Sequence, residues 1–410
     1  MARQGEVVTC RRTPRRGTFF ALVAGLTTVA TWTLIGQAAA TDVPAPPLAG
    51  VAPTIQEAML RRQRWALAQL DSPALAANSE GRSGKVAVGI ALPLRASDCL
   101  AGRVTCPIVV FLPGFGSAPH AYGPETNPVM RAVDQAVATG RLPPLWVAVV
   151  DGRTRLGGGC YVDSATTGQW STFLATQLVD ELQSTLGHAP IVITGHSMGG
   201  YGALHVALSR PGVYLGAVAI SPFVRASVLT DRLLPVIKKV FATRGPRSAA
   251  YVLSNWRDLG FSEKLFWALL AAWAPEPEQV AGVPEPFGEL DGEMVLLPNV
   301  LRRAAEFDLP NRIAQLSKQQ VAQAGRVFVS LGRRDGLTQA KDLQTLQKMW
   351  LQSRGGPGRL RVLLHDGNHT SQMGNDLVAG LEHVLLAQIH ERRPRHAARR
   401  AAHDTQLPLP

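Results

Sequence analysis

Short runs of apolar, β-branched residues alternate along this chain with longer segments whose apolar positions have helical spacing. The apolar runs predict strands at 85–94 (taken as an edge strand), 107–112, 145–150, 191–194, 215–220, 325–332 and 359–364. Helical spacing predicts helices near 54–70, 170–186 and 371–389. Such an alternation of strands and helices is typical of α/β proteins, with a mostly parallel sheet covered by helices on both faces.

The strand at 191–194 leads directly into Gly-His-Ser-Met-Gly, residues 195–199, and a helical segment follows. This strand–turn–helix context makes Gly-x-Ser-x-Gly a nucleophile elbow. The glycines let the strand and the helix come close, and the tight turn presents the hydroxyl of Ser197 at the end of the sheet. The alternative is a glycine-rich turn that only packs these two elements.

Two strand ends downstream of Ser197 carry suitable partners for it. A serine hydroxyl needs a base to remove its proton, and the base needs an orienting acid. Asp335 follows the strand at 325–332, and His369 follows the strand at 359–364. Because the expected chain order is serine, acid, histidine, we predict a triad of Ser197, Asp335 and His369.

Other acids and histidines fit less well. His365 continues its strand directly, which favours a packing or capping role, and Asp366 is its neighbour. Asp308 lies in an Asp-Leu-Pro stretch typical of a turn or cap. Asp151 precedes the serine and so violates the chain order. The remaining histidines considered are interpreted as structural: His188, His196 and His205.

Backbone N–H groups are the usual stabilisers of a developing oxyanion, and two are expected here. One comes from the residue after the nucleophile, Met198. The other comes from the loop at 113–117, Pro-Gly-Phe-Gly-Ser, which follows the strand at 107–112. We predict the amide of Phe115, with Gly116 as the alternative; an ordinary turn is the remaining interpretation.

Residues 195–204, Gly-His-Ser-Met-Gly-Gly-Tyr-Gly-Ala-Leu, resemble the elbow of the esterase D group of α/β-hydrolases. That group includes S-formylglutathione hydrolases, feruloyl esterases and mycobacterial mycolyltransferases. Further pieces are similar to the group's pattern: Leu92-Pro93, Leu112–Gly116, Asp151-Gly152, Tyr161–Ser164 and Gly168–Trp170.

The resemblance covers about 85–222 and, more weakly, 325–390. It implies the α/β-hydrolase fold and the same triad, Ser197, Asp335 and His369, with the amides of Phe115 and Met198 as the oxyanion hole. One departure is Pro113-Gly114, where many esterases have His-Gly.

Residues 223–320 interrupt the alternation with apolar, Trp-bearing helical stretches such as 262–270. They lie between two predicted strands, where hydrolases insert caps, so we predict a helical lid. The alternative is a set of packing helices without a role in substrate choice. Under the lid interpretation, Phe223, Trp267 and Trp273 are candidates to line an acyl or aromatic pocket.

The amino-terminal segment 1–40 has the features of a cleavable signal peptide. Basic pairs at 11–12 and 15–16 precede an apolar run at 19–35, and Ala38–Ala40 offers a cleavage site before Thr41. The run Arg15-Arg16-Gly17-Thr18-Phe19-Phe20 also hints at twin-arginine export. An uncleaved membrane anchor is the alternative. We therefore expect an exported protein, periplasmic or extracellular.

The domain organisation follows from these segments. A lead at 41–84 precedes a hydrolase domain at 85–390, and the basic tail at 391–410 is predicted to be disordered. The 410 residues are 46% hydrophobic and 18% charged, which suffices for a large core. Residues 1–40 hold five Arg and one Glu, so their removal lowers the net charge from +12 to about +8.

Cysteine and charge patterns limit the cofactors and partners. Cys10 lies in the predicted signal peptide and would be removed with it. Cys99 and Cys106 flank a short polar loop and are predicted to form a disulfide in an oxidising compartment, which leaves Cys160 over in the mature chain. No Cys/His grouping has zinc spacing and no phosphate-binding loop stands out, so we infer no metal or organic cofactor. The tail permits weak contact with anionic envelope surfaces, and no motif for specific nucleic-acid binding is evident.

Together these features predict an exported serine hydrolase that cleaves carboxylic esters, of small-molecule, lipid or sugar type, through an acyl-enzyme. An acyltransferase with the same triad, passing the acyl group to a sugar or lipid alcohol, is the first alternative. A non-catalytic envelope binding protein on a hydrolase fold is the second.

Overall fold

The computed structural model describes residues 53–386 except 354, 355 and 357. Within this range the chain forms twelve strands. They are β1 Trp65–Asp71, β2 Lys85–Ala91, β3 Ile108–Leu112, β4 Trp146–Val150, β5 Asp163–Ser164, β6 Gly168–Gln169, β7 Ile191–His196, β8 Gly216–Ile220, β9 Phe287–Leu290, β10 Glu293–Leu296, β11 Arg326–Gly332 and β12 Leu360–His365. Eight of them build the central sheet.

The central sheet has the order β1-β2-β4-β3-β7-β8-β11-β12. β1 pairs antiparallel with β2, and β2 pairs antiparallel with β4. The other five pairings are parallel. This confirms the predicted mostly parallel α/β architecture, and it brings the carboxyl ends of β7, β8, β11 and β12 to one edge.

Fifteen α-helices lie within the described residues. They are α1 Pro53–Leu60, α2 Pro73–Ala76, α3 Ala96–Leu100, α4 Pro128–Ala138, α5 Trp170–Ala175, α6 Gln177–Leu186, α7 Met198–Ser209, α8 Leu234–Arg244, α9 Ala249–Ser254, α10 Phe261–Trp273, α11 Pro298–Ala305, α12 Leu309–Gln315, α13 Lys318–Gln323, α14 Ala340–Gln352 and α15 Met373–Leu381. None of them is long and apolar enough to span a membrane.

Both faces of the sheet are buried. On β3, Ile108, Val110 and Leu112 face one core, which they share with α5, α6, α7 and α14. Val109 and Phe111 face a second core, with α4 and α15. Strands buried on both faces are continuous apolar runs rather than alternating ones, which is why β3, β4 and β8 were easy to predict.

Three predicted elements differ from the structure: the helix near 54–70, the edge strand at 85–94 and the helix at 170–186. The helix predicted near 54–70 ends at Leu60, and Trp65–Asp71 is instead the edge strand β1. Consequently β2 is an interior strand rather than an edge. Pairing along all seven residues of β2 outweighs the helical propensity of the Ala and Leu residues in this segment. The helix predicted over 170–186 is broken at Thr176, which separates α5 from α6.

The inserted segment 223–320 is not helical throughout, because β9 and β10 form a hairpin within it. Its central helix α10 is almost entirely buried from Leu265 onward. Phe223, Trp267 and Trp273 are each at most 1% exposed. The expectation that they line a pocket is therefore wrong for this conformation: they fill the core beneath the insertion.

Cys99 and Cys106 form the predicted disulfide. Cys160 is a free, buried cysteine. The predicted signal peptide at 1–40, the tail at 391–410 and the last part of the helix predicted to 389 lie outside the described residues.

Candidate active site

Ser197 lies in the turn between β7 and α7 with a backbone strained for a non-glycine residue, at φ 57° and ψ −117°. Its N–H donates to the carbonyl of Ile220 at the end of β8, at 2.8 Å. A Cβ on Gly199 would come within 1.8 Å of the Leu112 carbonyl oxygen. Only glycine permits this contact, so the predicted elbow geometry depends on it.

The three residues predicted as a triad are in direct contact. His369 Nε2 lies 2.8 Å from Ser197 Oγ. On the other side of the ring, His369 Nδ1 lies 2.7 Å from Asp335 Oδ2. The Asp335 side chain is fully buried, whereas the imidazole is 25% exposed. An exposed imidazole between a buried carboxylate and a hydroxyl has the geometry needed to accept the serine proton.

The surroundings of Asp335 keep it ionised. Its Oδ1 accepts hydrogen bonds from the backbone N–H groups of Leu337 and Thr338, at 2.7 and 3.1 Å. Burial raises the pKa of Asp335, but the hydrogen bond and charge of His369, with these two amides, outweigh it and hold the pKa below its ordinary value. Because the carboxylate only accepts, His369 donates Nδ1–H and leaves Nε2 free to accept from Ser197.

His196 supports the backbone of His369. Its Nε2 lies 2.9 Å from the His369 carbonyl oxygen. A carbonyl only accepts, so the His196 ring donates Nε2–H. Burial, with the neighbouring His369, lowers the pKa of His196 from 6.5 to about 4, although Asp335 and the bond to His369 oppose this. The ring is therefore neutral at physiological pH and adds no positive charge beside His369.

Two backbone amides near the serine have no partner among the described residues. Neither Phe115 nor Met198 uses its N–H in a hydrogen bond within this part of the chain. The N–H of Gly116, in contrast, donates to the carbonyl of Gly157 at 3.0 Å. The predicted alternative for the oxyanion hole, Gly116, is therefore excluded because its amide is engaged.

The residues judged poorer candidates have other partners. Asp366 is an exposed side chain near Arg333, and His365 contacts Asp376 at 3.2 Å. Asp308 lies 3.5 Å from Arg225, and Asp151 pairs with Arg153, two residues further on. Within the described residues, no side-chain hydrogen bond or ion pair joins any of these four residues to His369. His205 lies on α7, stacked on Tyr201.

Comparison with known families settles the relationship. A family model described as a putative esterase matches residues 79–384. The chain belongs to this esterase family. The match confirms the resemblance to esterases that was inferred from the elbow sequence.

Individual relatives of this esterase are distant. The sn-1-specific diacylglycerol lipase ABHD11 of Mus musculus is 36% identical over 133 residues, which are 32% of this chain and 38% of that protein. A solved ferulic acid esterase has 15% identity and a TM-score of 0.48, with 78% of this chain and 97% of that chain covered. An S-formylglutathione hydrolase from Agrobacterium tumefaciens has 15% identity and a TM-score of 0.43, with 78% and 94% covered.

An aromatic contact joins the insertion of this esterase to its site. The rings of Phe115 and Phe261 meet edge to face, with centroids 5.8 Å apart. Phe261 begins α10 and is 59% exposed, and Phe115 is half-buried. The sequence analysis missed Phe261. The signal that could have identified it is an aromatic residue directly before the helical stretch predicted at 262–270.

No group of three or more His, Cys, Asp or Glu side chains suited to a metal ion occurs within the described ranges.

Proposed function

We propose that Ser197, His369 and Asp335 are the catalytic triad of this esterase, and that the amides of Phe115 and Met198 form its oxyanion hole. The continuous hydrogen-bonded series from Asp335 through His369 to Ser197 carries the proposal. The two unengaged amides support the second part, since an oxyanion hole needs donors that are free before the reaction.

Acylation begins when Ser197 Oγ attacks the ester carbonyl carbon. His369 Nε2 takes the serine proton as the new C–O bond forms, and Asp335 stabilises the resulting imidazolium. The carbonyl electrons move onto oxygen, where the two amides stabilise the negative charge. Collapse of this intermediate breaks the bond to the alcohol, and His369 delivers the proton to the departing oxygen.

Deacylation repeats these steps with water. His369 removes a proton from water as the water oxygen attacks the acyl-enzyme, and it returns that proton to Ser197 Oγ when the acid leaves. An added alcohol that reacts in place of water would give acyl transfer by the same residues. Product analysis with glycerol or a sugar alcohol present measures this partition directly.

The substrate class we propose is an ester with an apolar acyl group. The support is the Phe115–Phe261 contact, which places exposed aromatic surface beside the proposed oxyanion donor. The partial likeness to a diacylglycerol lipase agrees with such a substrate. We further propose that the insertion covers the site as a lid through Phe261.

We also propose that the protein is exported. The Cys99–Cys106 disulfide supports this, because disulfides persist in an oxidising compartment.

The decisive variant is Ser197→Ala. We expect it to lower kcat for p-nitrophenyl butyrate by at least about 10⁴-fold and to prevent labelling by a fluorophosphonate probe, because no other group can form the acyl-enzyme. Ser184→Ala is the matched control, since Ser184 is exposed on α6 and binds only the Glu181 carbonyl.

Ser184→Ala should retain full turnover and labelling. If Ser197→Ala turns over ester at the wild-type rate, the serine has no part in the reaction and the proposed mechanism is wrong. If the wild-type protein neither turns over esters nor reacts with the probe, a binding role on this fold is favoured instead.

A further inference from the structure

Two successive residues in the loop after β4 have left-handed backbone conformations. Cys160 has φ 56° and Tyr161 has φ 58°, and both are only 1% exposed. For non-glycine residues each such conformation is uncommon and costs about 1 kcal/mol or more, so it persists only where the surroundings dictate it. Strain of this kind in a buried loop indicates that the surrounding structure holds the Tyr161 side chain in one direction.

The phenol ring of Tyr161 occupies a slot that two glycines leave open. A Cβ on Gly152 would lie 2.2 Å from the Tyr161 hydroxyl oxygen, and a Cβ on Gly202 would lie 2.6 Å from its ring. The edge of the ring also meets Trp170, with centroids 5.8 Å apart. The ring therefore has one position, fixed by both α7 and the loop after β4.

From this slot the hydroxyl reaches the loop that follows β3. Tyr161 Oη donates to the carbonyl of Pro113 at 3.1 Å, in a buried setting. Burial raises the pKa of the Tyr161 phenol well above its ordinary value, so the hydroxyl keeps its proton and remains a donor.

Pro113 lies two residues before Phe115. The same loop is held on its other side by the bond from Gly116 N–H to the Gly157 carbonyl. These two bonds flank Phe115, whose own N–H is the unengaged amide described above. The direction of that amide depends on the peptide planes that the two bonds hold.

We propose that Tyr161 is a positioning residue for the oxyanion hole, acting through its hydrogen bond to the Pro113 carbonyl. The inference rests on the proposed function, because it assumes that the Phe115 amide meets the oxyanion. Preorganised donors are effective only when they need no reorientation as the charge develops. The strained residues 160–161 thereby serve the reaction, although Tyr161 itself touches no reacting atom.

The test is Tyr161→Phe, which removes the hydroxyl and keeps the packed ring. We expect kcat for p-nitrophenyl acetate to fall about 10- to 100-fold with KM changed less than twofold, since loss of a whole oxyanion donor costs about 10²–10³ in kcat. Affinity for a trifluoromethyl ketone, which forms a tetrahedral oxyanion with the serine, should fall in parallel.

Tyr214→Phe is the matched control. Its buried phenol also donates to a backbone carbonyl, that of Leu174, at 2.5 Å, but Tyr214 lies at the amino end of β8, away from Ser197. It should lose stability to urea as much as Tyr161→Phe does and keep its kcat. A structural role alone would make the two variants alike in kcat and in ketone affinity.

The outcomes separate the two proposals. If Ser197→Ala is inactive while Tyr161→Phe keeps kcat and ketone affinity within twofold of wild type, the positioning role is refuted and the triad stands. If Ser197→Ala remains active, the proposed function fails whatever Tyr161→Phe does. Loss of kcat and ketone affinity in Tyr161→Phe, beside an intact Tyr214→Phe, supports the inference.

Discussion

The charges around His369 are set by its immediate neighbours. Asp335 is ionised and hydrogen-bonded on both oxygens, whereas His196 is neutral and bound to the His369 backbone. A neutral ring at 196 matters because a second cation would oppose the imidazolium that forms during the reaction. The same neutral state makes folding sensitive to acid.

The pKa of His196 lies below its ordinary value, so the unfolded chain takes up this proton first as the pH falls. The native state therefore loses stability between pH 6.5 and about 4, by up to about 3 kcal/mol from this group. His196→Gln, whose amide can still donate to the His369 carbonyl, should lack this loss. Urea midpoints of both proteins at pH 7, 6, 5 and 4 measure the difference.

Carboxyl groups whose pKa is raised by burial, such as Glu80 and Asp376, act in the opposite direction over part of this range. They are common to both proteins and cancel in the comparison. Asp335 takes up its proton below this pH range, because its pKa is lowered. Parallel pH profiles for wild type and His196→Gln would show that the ring is not held neutral.

Residues in the sequence motifs were predictable, and residues that act by packing were not. The contact of Ser197, His369 and Asp335 was predicted because the elbow motif and the chain order after it are signals in the sequence. The bond from His196 to the His369 backbone joins residues 173 positions apart. The hydrogen bond from Tyr161 to the Pro113 carbonyl depends on two strained residues and on contacts at two glycines. None of these features has a sequence signature.

At the scale of elements, the insertion is part of the core and also reaches the site. Most of α10 is buried, yet its first residue, Phe261, lies exposed against Phe115. An acyl chain bound beside Ser197 would cover this aromatic surface. The buried part of the helix thus anchors the Phe261 contact surface through which we propose that the insertion covers the site.

Phe261→Ala should reduce kcat/KM for p-nitrophenyl hexanoate about five- to tenfold, because about 1 kcal/mol of apolar contact with the chain is lost. The kcat/KM for p-nitrophenyl acetate should change less than twofold, since a two-carbon acyl group is too short to reach the Phe261 ring. Steady-state kinetics over a series of acyl lengths provide the measurement.

Leu290→Ala is the control, because Leu290 is equally exposed in the same insertion, on β9. It should leave the chain-length profile unchanged. Equal losses on acetate and hexanoate in Phe261→Ala would mean that the ring affects the site as a whole and does not contact the acyl chain.

The elements themselves were predictable where burial was complete. β3, β4, β7, β8 and β11 are apolar runs with both faces covered, and both ends of each were predicted to within two residues. β1 was missed because its Trp-Ala-Leu-Ala-Gln-Leu-Asp sequence favours a helix, and only its pairing with β2 makes it a strand. The β9–β10 hairpin was missed because its strands are short and only partly buried, so they form no continuous apolar run.

For the molecule as a whole, the family match extends over residues 79–384, which include every proposed site residue. The segments expected to direct export and to interact with envelope surfaces lie outside this range. If both proposals hold, the catalytic site and the export signal lie in separate parts of the sequence.

Expression of the full chain in a bacterial host should give a mature protein that begins near Thr41, recovered outside the cytoplasm, because 1–40 has the pattern of a cleaved leader. Amino-terminal sequencing of each cell fraction tests this. Leu22→Arg combined with Leu26→Arg interrupts the apolar run and should retain an uncleaved chain in the cytoplasm. An intact chain outside the cytoplasm would instead favour the membrane anchor.

The state of the cysteines has a practical consequence. Within residues 53–386, Cys99 and Cys106 are bridged, while burial raises the pKa of the Cys160 thiol well above its ordinary value. Thiolates are the form that maleimides attack, so this folded region offers them no ready target. A single cysteine introduced at Val280, which is 59% exposed on the insertion, would therefore carry a fluorophore or spin label alone within residues 53–386. In a chain that lacks residues 1–40, and with them Cys10, a label on the insertion could then be followed during turnover without replacing a native cysteine.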